Sequence, residues 1–240
     1  MSSNQLKAIA CIAMLADHIG YLLFPEVIIL RYIGRLAMPL FSYFIAEGCR
    51  YTRSRKRYLF NILSLAVLCQ LFYLAEAIIN GGITEIYLNV LFTFGLSILV
   101  CSAFLRLKAS FEQITHHRIY LNILLFIITI FVAVYCCTKR QIFGIPLELD
   151  YGFAGVFLPL FAVVFPDKER QLPLFTIGII IYNLLIFQEL PYIWFSLFTV
   201  PLILFYNGLR GKLRLKAAFY LFYPLHFALI YGIKLFFLRG

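Results

Sequence analysis

The chain has 240 residues, of which 63% are hydrophobic and only 13% charged, and its mean hydropathy is +0.92. A water-soluble domain would carry about 25% charged residues, so a soluble enzyme or binding module is excluded and a polytopic membrane protein is implied. The formal net charge of +10 falls in short loops between apolar runs, which excludes nucleic acid as the partner that this charge serves.

Runs of ~16–22 apolar residues, the length a helix needs to cross hydrocarbon, recur along the whole sequence. In lipid such runs form helices, because each backbone polar group must then find its partner within the segment. The predicted fold is all-α: one integral membrane domain over residues 1–240, a bundle of about nine spans. The opening Met1-Ser2-Ser3-Asn4-Gln5 lacks the basic flank and small-residue cleavage site of a secretory signal, so the first helix is expected to stay as an anchor.

Span one, Gln5–Phe24, carries a less apolar stripe at three- and four-residue steps: Lys7, Cys11, Met14, Asp17 or His18, and Tyr21. Asp17 and His18 are neighbours, hence ~100° apart around a helix, and do not face each other. Asp17 is therefore expected to meet an arginine of span two, Val27–Gly48, while His18 points into a cavity. In span two, Arg31 and Arg35 are four apart and share a face, with Ser42 close to that face and Pro39 positioned to kink the helix beside them. A mid-bilayer Asp or Arg costs roughly 3 kcal/mol, so Asp17, Arg31 and Arg35 unpaired would cost on the order of 10 kcal/mol, which forces pairing or a wet cavity. The bland account is an ion cluster that pins two helices, with Arg31 snorkelling at an interface. The functional account rests on His18, which titrates near neutrality and which structural pairing does not require. Glu47 closes the hairpin near its cytoplasmic end.

Span three is Tyr58–Ile79 and span four Tyr87–Leu107, in which Asn89 and Thr93 are expected on one helix face as interhelical glue. Span five is Ile119–Cys137, preceded by His116 and His117 in a solvated loop. Spans six to eight, Tyr151–Phe165, Leu172–Phe187 and Tyr192–Tyr206, are short enough for tilted or re-entrant elements. Asp150-Tyr151-Gly152 opens span six as a cap. Span nine, Ala217–Leu238, holds His226 after a proline, a second acid–base candidate beside His18.

Basic residues cluster in alternate loops: Arg50–Arg57, then Arg106, Lys108 and Arg118, then Lys168 and Arg170, then Arg210–Lys216. The positive-inside rule places these loops and the N-terminus in the cytoplasm, and an odd span count puts the C-terminus outside. Arg50, Arg53 and Arg57 of one loop and Lys212 and Arg214 of another exceed what orientation needs. They suit either anionic headgroups or the mouth for a phosphate-bearing cosubstrate. No Walker loop or GxGxxG is present, which leaves nucleotide hydrolysis without support, and no internal repeat favours a secondary transporter. The six cysteines show no CxxC or CxxH spacing, so they read as small apolar filler and no metal site is expected.

The segments LKAIACIAMLADHIGYL, RYIGRLAMPLFSYFIAEGCRYTRSRKRYL, LNVLFTFGLSIL, DYGFAGV and KAAFYLFYPLHFALI together resemble the TraX family, named for a conjugative-plasmid protein that acetylates the N-terminus of F-pilin. The DHIG…R…GRLA.PLF….EG block carries most of the specificity. The resemblance implies a multi-pass acetyl-CoA-dependent transferase of the bacterial cytoplasmic membrane, distantly akin to acyltransferase-3 and heparan-glucosaminide N-acetyltransferase enzymes. Carried over by motif, Asp17, His18, Arg31, Arg35, Glu47 and His226 are its site positions. The chemistry agrees with the residues. His18, Asp17, Arg35 and His226 are the catalytic set, with His18 as general base and Arg35 near the oxyanion. Arg31, Glu47 and the basic-loop residues are expected around coenzyme A, and membrane lipid and an acceptor peptide or glycan complete the partners. Direct transfer is favoured, with an acyl-histidine intermediate left open. The alternative function is a transporter or flippase that uses the buried Asp/His/Arg cluster as a binding or proton-relay site; a third, a noncatalytic scaffold, gives no reason to retain the histidine.

Overall fold

A computed structural model describes residues 1–79, 85–112, 116–138, 141–142, 144–212 and 215–238. The elements, in order, are α1 (Ser3–Leu22), α2 (Ile28–Gly34), α3 (Ala37–Tyr51), α4 (Arg55–Ile79), β1 (Ile86–Leu88), α5 (Val90–Glu112), α6 (His116–Thr138), β2 (Gln141–Ile142), β3 (Ile145–Leu149), α7 (Gly152–Val163), α8 (Lys168–Ile186), α9 (Leu190–Leu197), α10 (Thr199–Leu204) and α11 (Lys216–Leu238). Every apolar run read from the sequence is mainly helical. By length and composition, four stretches among the described residues are long and apolar enough to cross a membrane: Ile28–Tyr51, Arg55–Ala75, Val90–Glu112 and Arg118–Thr138.

The chain packs as two compact units, residues 1–41 with 179–240, and residues 42–178. In the first, α1 begins at a capping box in which the Ser2 hydroxyl accepts from Gln5 N and the Gln5 side chain accepts from Ser2 N, satisfying two helix-start donors. The same terminus is stitched to the basic loop before α11: Ser3 N donates to Leu209 O at 2.8 Å, Asn4 N to Arg210 O at 3.3 Å and Asn207 N to Met1 O at 2.9 Å. The N-terminus and the Arg210 loop thus share one end of this unit. From there α1 leads directly to α2, and α11 packs on α1.

Predicted span two is broken. It turns at Arg35–Leu36, between α2 and α3, four residues before Pro39. Proline has no N–H, so the i−4 carbonyl, that of Arg35, loses its helical donor, and the break forms there. Span eight is likewise split into α9 and α10 at Phe198, upstream of Pro201.

In the second unit the all-α expectation needs one correction. Residues 86–88 and 145–149 pair as parallel strands, and 141–142 adds to β3 antiparallel. Predicted span four therefore starts at Val90, not Tyr87. Asn89 stands outside the helix as its cap, its Oδ1 accepting from Leu91 N at 3.1 Å. Its amide reaches Ala66 O and Gln70 Oε1 at 3.0 and 3.1 Å, so it does not share a helix face with Thr93. Thr93 instead donates to Asp150 O at 2.6 Å, just before Tyr151 and Gly152 turn through positive φ into α7. His116 and His117 also depart from expectation: they open α6 instead of lying in a loop. Val100, Ala133, Leu149 and Val156 form the apolar centre where α5, α6, β3 and α7 meet.

Candidate functional site

Two adjacent residues of α1 face two different partners, as their ~100° separation requires. Asp17 faces α2. Its Oδ2 lies 2.9 Å from Arg31 Nη1, and its Oδ1 accepts from Arg35 Nη2. Arg31 Nη1 also reaches the Asp17 backbone oxygen at 3.3 Å, and Arg35 Nε donates to Arg31 O at 3.0 Å. The approach is close because Gly34 passes against the carboxylate; a β-carbon at that position would overlap Asp17. Arg35 is the buried member, its side chain 3% exposed against 28% for Arg31. Its guanidinium lies over the rings of Phe187 at 4.4 Å and Tyr192 at 5.5 Å, favourable cation–π contacts.

The carbonyl of Arg35, orphaned by Pro39, is met by Ser196 of α9. Ser196 Oγ lies 3.3 Å from Arg35 O and 3.0 Å from Asn183 Oδ1, one proton serving two acceptors. Asn183 Nδ2 donates to Ile179 O at 2.8 Å, which fixes which end of the amide faces Ser196. Ser196 and Asn183 are both fully buried. Neither belongs to the motifs singled out above; the signal that a donor was needed is Pro39, which names the orphan carbonyl but not its partner.

His18 faces α11. Its Nδ1 is 2.8 Å from Met14 O and 3.4 Å from Nε2 of His226, with the two rings 5.0 Å apart. His226 Nδ1 is 3.0 Å from Phe222 O, with Phe222 stacked on its ring at 5.2 Å, and Phe227 packs on both imidazoles. A carbonyl only accepts, so both Nδ1 atoms carry hydrogen. In the neutral pair His226 Nε2 is then an acceptor for His18 Nδ1–H, and His18 Nε2 keeps a lone pair that no described residue engages.

The other expected residues fall elsewhere. Glu47 and Arg50 belong to the second unit. Arg50 Nη1 lies 3.4 Å from Glu47 Oε1, and its Nη2 donates to Ala162, Val163 and Phe165 carbonyls at 3.1, 3.1 and 2.6 Å, closing the C-terminal end of α7. Arg53 and Arg57 of that unit and Lys212 of the first are exposed, and Arg214 lies outside the described residues. Ser42, expected near the arginine face, is a buried residue of the second unit.

Apolar helices that enclose an Asp–Arg–Arg cluster and a histidine pair define a helical membrane protein with ionisable groups inside its bundle. The chain belongs to the TraX family, whose model, described as TraX protein, matches residues 2–234. It is similar to a Dichelobacter nodosus protein, "Probable fimbrial assembly protein FimC, serogroup H1", at 30% identity over 98% of this chain and 96% of the relative. An uncharacterized protein of Rickettsia prowazekii (strain Madrid E) is 38% identical over 37% of this chain and 28% of its own length. No solved structure matches.

Proposed function

We propose that the chain is a multi-pass acetyltransferase of the bacterial cytoplasmic membrane that moves an acetyl group from cytoplasmic acetyl-CoA to an amine or hydroxyl of an acceptor, a peptide N-terminus or a glycan. Membership of the TraX family and the fimbrial-assembly relative support this class. The observation that carries it is the histidine pair: His18 Nδ1 is held on the Met14 carbonyl, leaving Nε2 as a base.

In the proposed reaction the acceptor nitrogen or oxygen attacks the thioester carbon as its proton passes to His18 Nε2. The imidazolium so formed is held by Met14 O and by His226 Nε2, in the way a third group holds the histidine of a catalytic triad. Arg35, fixed by Asp17 and the aromatic rings, supplies positive charge toward the developing oxyanion. The C–S bond then breaks, and the proton on Nε2 leaves with the thiolate as free coenzyme A. The candidates for the phosphates of coenzyme A are the basic residues of two loops, Arg53 and Arg57 beside Arg50 and Glu47 in one, and Lys212 and Arg214 in the other. Nine spans with the N-terminus inside and the C-terminus outside remain the proposed topology. The hydrogen bonds between residues 1–4 and 207–210 support it, because they hold the N-terminus against a strongly basic loop.

The test is purified full-length chain in detergent with labelled acetyl-CoA. Wild type binds the thioester and hydrolyses or transfers its acetyl group; His18→Ala loses ~10²–10⁴ of that rate with its thermal stability kept. Wild-type protein that binds no coenzyme A overturns the enzyme and leaves the transporter reading in its place.

A further inference from the structure

The Asp17 cluster joins one carboxylate to two guanidiniums, and the two arginines are used differently. Arg35 is enclosed, donating through Nε and Nη2 beneath two rings. Arg31 makes its polar contacts among the described residues through Nη1 alone. Its Nε and Nη2 hydrogens, the side-on fork that matches two oxygens of a carboxylate or phosphate, engage no described residue. The rest of the group is held in place: Asp17 grips Nη1, and the exposed ring of Tyr21 lies 5.1 Å from its central carbon. A guanidinium fixed on one edge and open on the other is preorganised for an anion, with its ordering cost already met.

Position separates this anion from the phosphates of coenzyme A. Asp17 lies about 20 Å along α1 from Ser3, at 1.5 Å per residue, and Ser3 is the residue bonded to the Arg210 loop. Arg31 is therefore at the end of this unit remote from that basic loop, beside Tyr21 near the close of α1.

We propose that the Nε/Nη2 edge of Arg31 is an anion site for the acceptor, which carries a carboxylate or phosphate close to the group that is acetylated. This rests on the acetyltransferase reading, and it gives Arg31 a different ligand from the coenzyme A expected from the sequence. A snorkelling arginine would share the exposure but not the ligand.

The experiment follows thermal unfolding and Trp194 fluorescence of the full chain in a nonionic micelle, titrated with sodium phosphate or sodium acetate at constant ionic strength. Wild type is expected to show a saturable response. Arg31→Gln weakens it about tenfold or more, and Arg31→Lys, which keeps charge but not the fork, falls between. A helical circular dichroism spectrum and a gel-filtration profile in detergent that match wild type show that Arg31→Gln is folded. A second arm repeats the titration in nanodiscs of phosphatidylcholine alone or with phosphatidylglycerol. A soluble-anion response independent of lipid assigns the site to an acceptor; a response that appears only with anionic lipid assigns it to headgroups and overturns the proposal. A response that does not saturate, or is equal in wild type and Arg31→Gln, also overturns it. Saturable phosphate binding by a wild type that neither binds nor hydrolyses acetyl-CoA keeps the anion site and removes the acetyltransferase instead.

Discussion

Each unit of this protein places an arginine beside a carboxylate, and the two pairs have opposite fates. In the second unit Arg50 bridges Glu47 and three carbonyls at the end of α7, so both of its Nη groups are engaged in closing a helix terminus. In the first, Asp17 is shared by two guanidiniums, one of which has donors to spare among the described residues. A guanidinium whose hydrogens go to carbonyls is architecture; one that a carboxylate holds by a single nitrogen is an instrument. Charge inside a membrane protein is thus informative only with its hydrogen-bond partners counted.

The comparison breaks most directly at the carboxylates. Asp17→Asn leaves Arg31 and Arg35 without their anion and is expected to cost about 3–5 kcal/mol. Glu47→Gln leaves Arg50 its three carbonyls and a neutral amide acceptor, and is expected to cost about 1 kcal/mol. Equal losses of thermal stability in the two variants would erase the distinction. Next in size is Gly34→Ala, which drives a methyl group into the Asp17 carboxylate and is expected to cost about 1–3 kcal/mol as overpacking. On the proposed reaction, kcat for acetyl transfer should fall further than stability alone explains, measured at a temperature where the variant is fully folded. Ser196→Ala removes a donor shared by Arg35 O and Asn183 Oδ1 and should cost about 1–2 kcal/mol. If Ser196 positions Arg35, kcat drops while KM for acetyl-CoA stays, and Ser196→Thr recovers part of it.

The smallest effect lies outside the membrane, at the start of α8. Hydrogen bonds from Arg170 hold the Asp167 carboxyl down to about 2. A carboxylate depressed in the folded state stabilises above its unfolded pKa of about 4 and loses that contribution as pH falls through about 2. The melting-temperature difference between wild type and Arg170→Gln should therefore be small, constant near neutrality, shrink below about pH 4 and vanish only once pH is below about 2. A difference that stays at its neutral-pH size down to about pH 2 contradicts the pairing.

The meeting of Asp17 with Arg31 and Arg35 was legible because burying three charges leaves pairing as the cheap solution and i,i+4 spacing puts both arginines on one face. Pro39 was legible as a disturbance, though the turn falls at the residue whose carbonyl it deprives, four positions earlier. Ser196 and Asn183 were not legible: a serine or asparagine in an apolar helix gives no periodic signal, and only the fold names its acceptor. The strand at 86–88 was hidden for another reason. Ile-Tyr-Leu runs straight into the apolar sequence of α5, and short apolar runs do not separate strand from helix until a pairing partner, here β3, is known.

The histidine pair joins residues 208 positions apart, and this sets a schedule for the ribosome. The first hairpin can insert and neutralise its charges within the opening forty or so residues made, but His18 must wait for almost the entire polypeptide before its companion emerges. On the proposed reaction, a chain that stalls or is clipped ahead of α11 would be inserted and inert, and completion of synthesis would itself arm the molecule.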